Sequence, residues 1–76
     1  MDLQIGIYEH YKGKRYEVMG TALHSESLEP LVIYRSLYET QYPYGQLWVR
    51  PLAMFMETVL MNGDQVPRFK FLHPTT

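Results

Sequence analysis

Apolar and polar positions alternate with a period of two along most of this chain, the pattern of strands that bury one face. In Ile5-Gly6-Ile7-Tyr8-Glu9-His10-Tyr11 the alternation is short and stops at Lys12-Gly13. Glycine tolerates the positive φ of a tight turn there, so a hairpin is expected. From Arg15 to His24 the same period sets Tyr16, Val18, Gly20 and Ala22 on one face and Glu17, Met19, Thr21 and Leu23 on the other. Small Gly20 and Ala22 allow the sharp bend that a small barrel needs. Ser25 to Pro30 is polar and ends in proline, which predicts a connecting loop.

Leu31 to Tyr38 is rich in β-branched and aromatic residues and predicts a long buried strand. Both of its faces are partly apolar, which leaves open whether Tyr34 or Arg35 points inward. Glu39 to Gln46 holds Tyr42-Pro43-Tyr44-Gly45 and reads as an exposed loop, and Gln46 to Arg50 as a further short strand. Pro51 suits the first position of a helix, so Leu52 to Met56 is expected to form one helical or 3-10 turn, with Met54, Phe55 and Met56 plugging the core. Asn62-Gly63 is a two-residue hairpin signal that stops any longer helix and pairs Glu57 to Met61 with Asp64 to Phe71. Pro67 cannot donate to a ladder, so that last strand is an edge or is bulged there. The fold expected is all-β: a small SH3-like, partly open barrel of five or six short strands, with one helical or 3-10 turn before the last hairpin.

Length limits this to one unit. The chain has 76 residues, enough for a single core, read as one domain over 1–76 with its core at about 5–72 and a tail at 73–76. Cysteine is absent, which removes disulfides, thiolate nucleophiles and cysteine-bound metals, and suits a reducing, cytoplasmic setting. No apolar run approaches the roughly 20 residues of a membrane span, and Met1-Asp2-Leu3-Gln4 lacks the pattern of a signal peptide. The formal net charge is -1, with both signs interspersed, so no long-range field draws the domain to nucleic acid or anionic lipid. Seven tyrosines, three phenylalanines and one tryptophan serve pleated strands and adhesive surfaces alike.

Four patterns occur in an order that resembles a known bacterial family. They are Gly6-Ile7-Tyr8-Glu9-His10-Tyr11-Lys12-Gly13-Lys14-Arg15-Tyr16-Glu17-Val18; His24-Ser25-Glu26 with Glu29-Pro30; Val32 to Tyr38; and Leu47-Trp48-Val49-Arg50-Pro51 with Met54-Phe55. Together with Val66-Pro67-Arg68-Phe69 they are similar to the family called domain of unknown function 1653. The likeness spans nearly the whole chain and implies a short bacterial domain without supplying a mechanism. The loop Thr40 to Gly45 departs from the family's terse, glycine-rich connection, so a role for Tyr42 or Tyr44 would belong to this chain alone.

Candidate chemistry is sparse. His24-Ser25-Glu26 looks like a compressed triad, but neighbouring residues in extended chain point in opposite directions, and a turn with Ser25 or Ser27 bonded to backbone is the simpler reading. His10, His24 and His73 lack metal-ligand spacing; no catalytic residue, metal or cofactor is assigned. His10 is expected at a sheet rim, half-buried and bonded to backbone. Lys12, Lys14 and Arg15 cluster with Tyr8, Tyr11 and Tyr16, but Glu9 and Glu17 cancel much of their field, as expected of a solvated hairpin tip. Trp48 and Arg50 share a strand face, and Tyr34 or Arg35 from the preceding strand can lie beside them. An indole next to a guanidinium stacks on a peptide or base, and Arg grips a carboxylate or phosphate bidentately. The expected role is a non-enzymatic binding or adaptor module, with Tyr34, Arg35, Trp48 and Arg50 as the surface and His10, Tyr11, His24 and Glu26 at its rim. A protein or peptide is the expected partner, with nucleic acid less favoured and no membrane. One alternative is a small enzyme or metal-assisted hydrolase using His10, His24 and Glu26. Another is a structural homodimer joined through the Pro67 strand or the Tyr42 to Tyr44 loop.

Overall fold

Among the described residues, short alternating segments separated by turn residues fold into seven strands and one helical turn. In chain order these are β1 (Gly6–His10), β2 (Arg15–Leu23), β3 (Pro30–Ser36), β4 (Leu47–Pro51), α1 (Leu52–Phe55), β5 (Thr58–Met61), β6 (Asp64–Pro67) and β7 (Phe69–His73). The computed structural model describes residues 3–75; residues 1, 2 and 76, which the single-domain and tail readings include, lie outside the described residues. The main sheet is antiparallel, in the order β4-β3-β2-β1-β7, and β5 and β6 form a separate two-stranded ribbon. The all-β expectation holds. Among the described residues no barrel closes, because β4 and β7 remain edge strands of the main sheet.

Asn62 and Gly63 take φ of 53° and 85°, the positive pair that a two-residue hairpin between β5 and β6 requires. The strand expected from Asp64 to Phe71 instead becomes two, which raises the count from five or six to seven. Pro67, opposite Thr58, is the last ribbon pair, and its missing N–H ends the ladder. At Arg68 the chain turns a corner. Its N–H donates to the carbonyl of Glu57 at 2.9 Å, while its carbonyl accepts from Tyr11 at 3.0 Å, so one residue ties the ribbon to the first hairpin. Phe69 then enters the main sheet opposite His10, and β7 runs on through His73, one residue into the expected tail.

The unbroken period of two expected for Arg15 to His24 fails at Met19. Val18 stands opposite Tyr34 but Gly20 stands opposite Ile33, so Met19 is an extra residue in β2 and everything after it is displaced by one. Between β2 and β3, Leu28 takes a positive φ of 63°.

The core settles what the sequence left open in β3. Val32, Tyr34 and Ser36 are buried, so Tyr34 points inward and Arg35 outward. Tyr8, Val18, Val32, Tyr34, Phe55 and Phe69 form the buried cluster. Phe55 stacks flat on Phe69, their ring centres 4.1 Å apart and planes 3° from parallel, and Tyr8 and Tyr34 meet Phe55 edge-on. Of the three residues expected to plug the core from α1, only Phe55 does so. Met54 and Met56 are exposed, since the helical turn points Leu52 and Phe55, three residues apart, toward the sheet and leaves the other face to solvent.

Candidate binding surface

Directly paired residues of an antiparallel sheet place their side chains on the same face. Trp48 stands opposite Tyr34 and Arg50 opposite Val32, so Trp48 and Arg50 belong to the inner face of the edge strand β4. Arg35 stands opposite Leu47 and Glu17, and its Nε donates to Glu17 Oε1 at 2.6 Å. It therefore lies on the other side of the sheet, engaged in its own ion pair, and drops out of the surface expected from the sequence.

Arg50 is the centre of what remains. Its Nε donates to the hydroxyl of Tyr34 at 3.3 Å, and its guanidinium carbon lies over the Phe69 ring, 5.6 Å from the centroid. Arg15, Arg35 and Arg68 each have a carboxylate partner, but among the described residues Arg50 has none. Phe69 is also met edge-on by His10 at 5.0 Å and by Tyr16 at 5.6 Å. The Tyr16 and Tyr38 hydroxyls are bonded to each other, and Lys14 sits over the Tyr38 ring. Burial, then the Tyr38 hydroxyl, raises the Tyr16 phenol well above its ordinary range, so it stays protonated. Burial raises the Tyr8 phenol likewise.

His10 occupies the rim position expected of it, half-buried at the end of β1. Its Nδ1 accepts the backbone N–H of Lys12 at 3.2 Å, and Tyr11 packs beside its ring at 4.5 Å. Burial first, then the charges of Arg50, Arg68 and Lys12, lower its pKa and hold it neutral. His10 also lines a concavity of about 390 Å³ walled by Tyr11, Met61, Val66 and Pro67, with Glu9, Gly13 and Lys70 at its margin. A second concavity, of about 320 Å³, lies beside α1 between Leu3, Tyr8, Phe55 and Phe71.

The structure brings His10, Tyr11, Tyr34 and Arg50 into one region and leaves Trp48 at its outer edge, 36% exposed, with Tyr42 packed edge-on at 5.2 Å. His24 and Glu26 are elsewhere. They sit in the exposed β2–β3 turn, at the opposite end of the nine-residue β2 from the β1–β2 hairpin that carries His10. There the His24 Nδ1 accepts the N–H groups of Glu26 and Ser27 at 3.1 and 3.3 Å, and Ser27 Oγ accepts that of Glu29 at 3.2 Å. This is the turn chemistry expected of the segment, and the pocket of His10, His24 and Glu26 does not form. Among the described residues no three His, Cys, Asp or Glu side chains gather to hold a metal ion.

Sequence reasoning missed Tyr16, Tyr38 and Phe69 as parts of this surface. Tyr16 carries a usable signal, lying two residues from the buried Val18 on the same strand face. Phe69 follows the corner at Arg68, and Tyr38 follows the end of β3 at Ser36, so neither stands in a pattern that fixes its direction.

A family model described as "Protein of unknown function (DUF1653)" matches residues 6–71. A crystal structure of a DUF1653 protein from Bordetella bronchiseptica superposes with a TM-score of 0.86 at 33% identity, covering 99% of this chain and 94% of that one. No curated protein matches the chain. The match over 6–71 and the agreement of the two folds show that the chain belongs to the DUF1653 family, proteins of unknown function.

Proposed function

We propose that the chain is a small SH3-like binding or adaptor module of the cytoplasm, whose working surface is the inner face of β4 with its aromatic surround, and whose partner is a protein or peptide. The observation that carries this reading is the setting of Arg50. It is held over Phe69 and bonded to Tyr34, with no carboxylate partner among the described residues. A guanidinium fixed at one nitrogen, with no partner for the others among the described residues, is ready to grip a ligand at little further cost in side-chain entropy. Trp48 and Tyr42 extend the surface with exposed aromatic area of the kind enriched at interfaces.

An arrayed random peptide library probed with the labelled chain tests the reading. Peptides should be captured by the parent chain and by Arg35→Gln, whose site is on the opposite face, and lost with Trp48→Ala and Arg50→Gln. Capture that survives both of those substitutions, or that disappears with Arg35→Gln alone, would remove this face from consideration.

A further inference from the structure

We propose that, given this surface, its ligand is an oxyanion carried on an apolar group, held by the terminal nitrogens of Arg50 and the Nε2–H of His10, with the apolar part in the adjoining concavity. Hydrogen-bond donors gather in this region without acceptors to match them. Among the described residues Arg50 spends only Nε, on Tyr34. The Nδ1 of His10 accepts from Lys12, which places the hydrogen of the neutral ring on Nε2. The Nε of Arg68 is buried with no acceptor among the described residues.

The carboxylates of the region each have a basic partner, although Glu9 also lines the adjoining concavity. Glu9 pairs with Arg15, Glu17 with Arg35 and Glu57 with Arg68. The Tyr16 and Tyr38 hydroxyls satisfy each other. A cluster of cationic and neutral donors over aromatic rings favours an anion, and the planar guanidinium fork matches carboxylate or phosphate oxygens.

The apolar half of the assignment comes from the concavity that shares His10 with this cluster. Its volume of about 390 Å³ lies in the range of small-molecule sites, roughly 300–1,000 Å³, and Tyr11, Met61, Val66 and Pro67 supply apolar walls beside the oppositely charged Glu9 and Lys70. A bare inorganic anion leaves those walls unused, whereas an aromatic or aliphatic acid, free or as a peptide side chain or terminus, uses both parts.

Titrating the ¹⁵N-labelled chain with benzoate, phenyl phosphate and the neutral isostere benzamide at low ionic strength tests this. Benzoate, phenyl phosphate or both should saturate shifts at the amides of His10, Arg50 and Phe69, with benzamide about tenfold weaker or worse. The tighter of the two acids identifies carboxylate or phosphate as the anion. Arg50→Gln should erase the advantage over benzamide and Arg50→Lys should keep part of it, each checked for a dispersed amide spectrum. Benzamide binding as tightly as the acids at those amides overturns the anion assignment while leaving the surface itself in place. If no probe moves them, yet the peptide array shows Arg50-dependent capture, the assignment to a small apolar acid fails alone; if both are blank, it fails together with the surface.

Discussion

The Nε of Arg50 donates to the hydroxyl of Tyr34, 3.3 Å away, and so connects an edge-strand cation to a side chain only 5% exposed. The two residues are diagonal across β3 and β4 on the inner face, since Tyr34 stands opposite Trp48 and Arg50 opposite Val32. One contact thereby aims the guanidinium over Phe69 and satisfies a buried phenol.

That coupling is measurable. Arg50→Gln leaves the Tyr34 hydroxyl without its donor and should cost about 1 kcal/mol, whereas Tyr34→Phe removes the polar group altogether and should cost less. The double variant should be no worse than about the larger single change, because both delete the same bond. Urea unfolding of the four proteins closes the cycle, and strict additivity would mean that the contact contributes nothing to stability.

Gly6 is held where no side chain fits. A Cβ built on it would lie 2.5 Å from the carbonyl oxygen of His73 and 2.9 Å from both Pro74 Cα and Phe71 Cε1, and its φ is 154°. Two of those three atoms are backbone and cannot rotate away, so β7 would have to separate from β1. Gly6→Ala should destabilise by about 2–4 kcal/mol. Gly20 supplies the contrast, with no heavy atom within 4 Å of a Cβ and no positive φ. Gly20→Ala should be neutral or stabilising by up to about 1 kcal/mol, since alanine has less unfolded-state entropy to lose. Thermal melts that ranked the two the other way would contradict the close approach of β1 and β7.

Features that depend on near neighbours were legible from the residues. Asn62-Gly63 announced its hairpin, and the polar Ser25 to Pro30 segment its turn, because local φ preferences and side-chain-to-backbone bonds decide such elements. The Met19 bulge was not legible, since it is set by which strand lies alongside rather than by the residue itself. Pro67 marked an irregularity through its missing N–H, and only the corner at Arg68 beyond it carried no local signal. The candidate surface divides in the same way. Trp48 and Arg50 were paired correctly by their i, i+2 spacing, whereas Arg35 was included only because nothing local distinguishes its direction from that of Tyr34. Phe69 lay beyond reach, as it meets Arg50 only after the chain has crossed from the ribbon to the far edge of the sheet.

Leu28 stores backbone strain in an exposed turn. Its φ is 63° while its side chain is 65% exposed, so the conformation brings no burial in return. The left-handed region costs an L-residue roughly 1–2 kcal/mol, and glycine relieves that at the expense of about 0.5–1 kcal/mol of added unfolded-state entropy. Leu28→Gly should therefore stabilise by about 0.5 kcal/mol, and β-branched Leu28→Val should destabilise. Urea midpoints in the order Gly, Leu, Val check this, and a loss of stability with glycine would show that the leucine side chain contributes more than its exposure indicates.

His10 should make the fold sensitive to mild acid. Burial and the neighbouring charges of Arg50, Arg68 and Lys12 lower its pKa below the ordinary 6.5, so near and below that pH the unfolded chain binds more protons than the folded one. Stability should accordingly be unaffected by His10 well above pH 6.5. It should fall as the pH drops through 6.5 and level off once the folded-state imidazole is itself protonated. The carboxylates titrate lower, so the slope between about pH 7 and 5 is where His10 stands out. His10→Phe keeps an aromatic ring against Phe69 and removes the titrating group, and should flatten that slope relative to the parent. Histidine ring resonances followed by NMR give the same answer directly, through a His10 midpoint below 6.5. A midpoint at or above that value would mean that the cations around the ring do not act on it as their positions require.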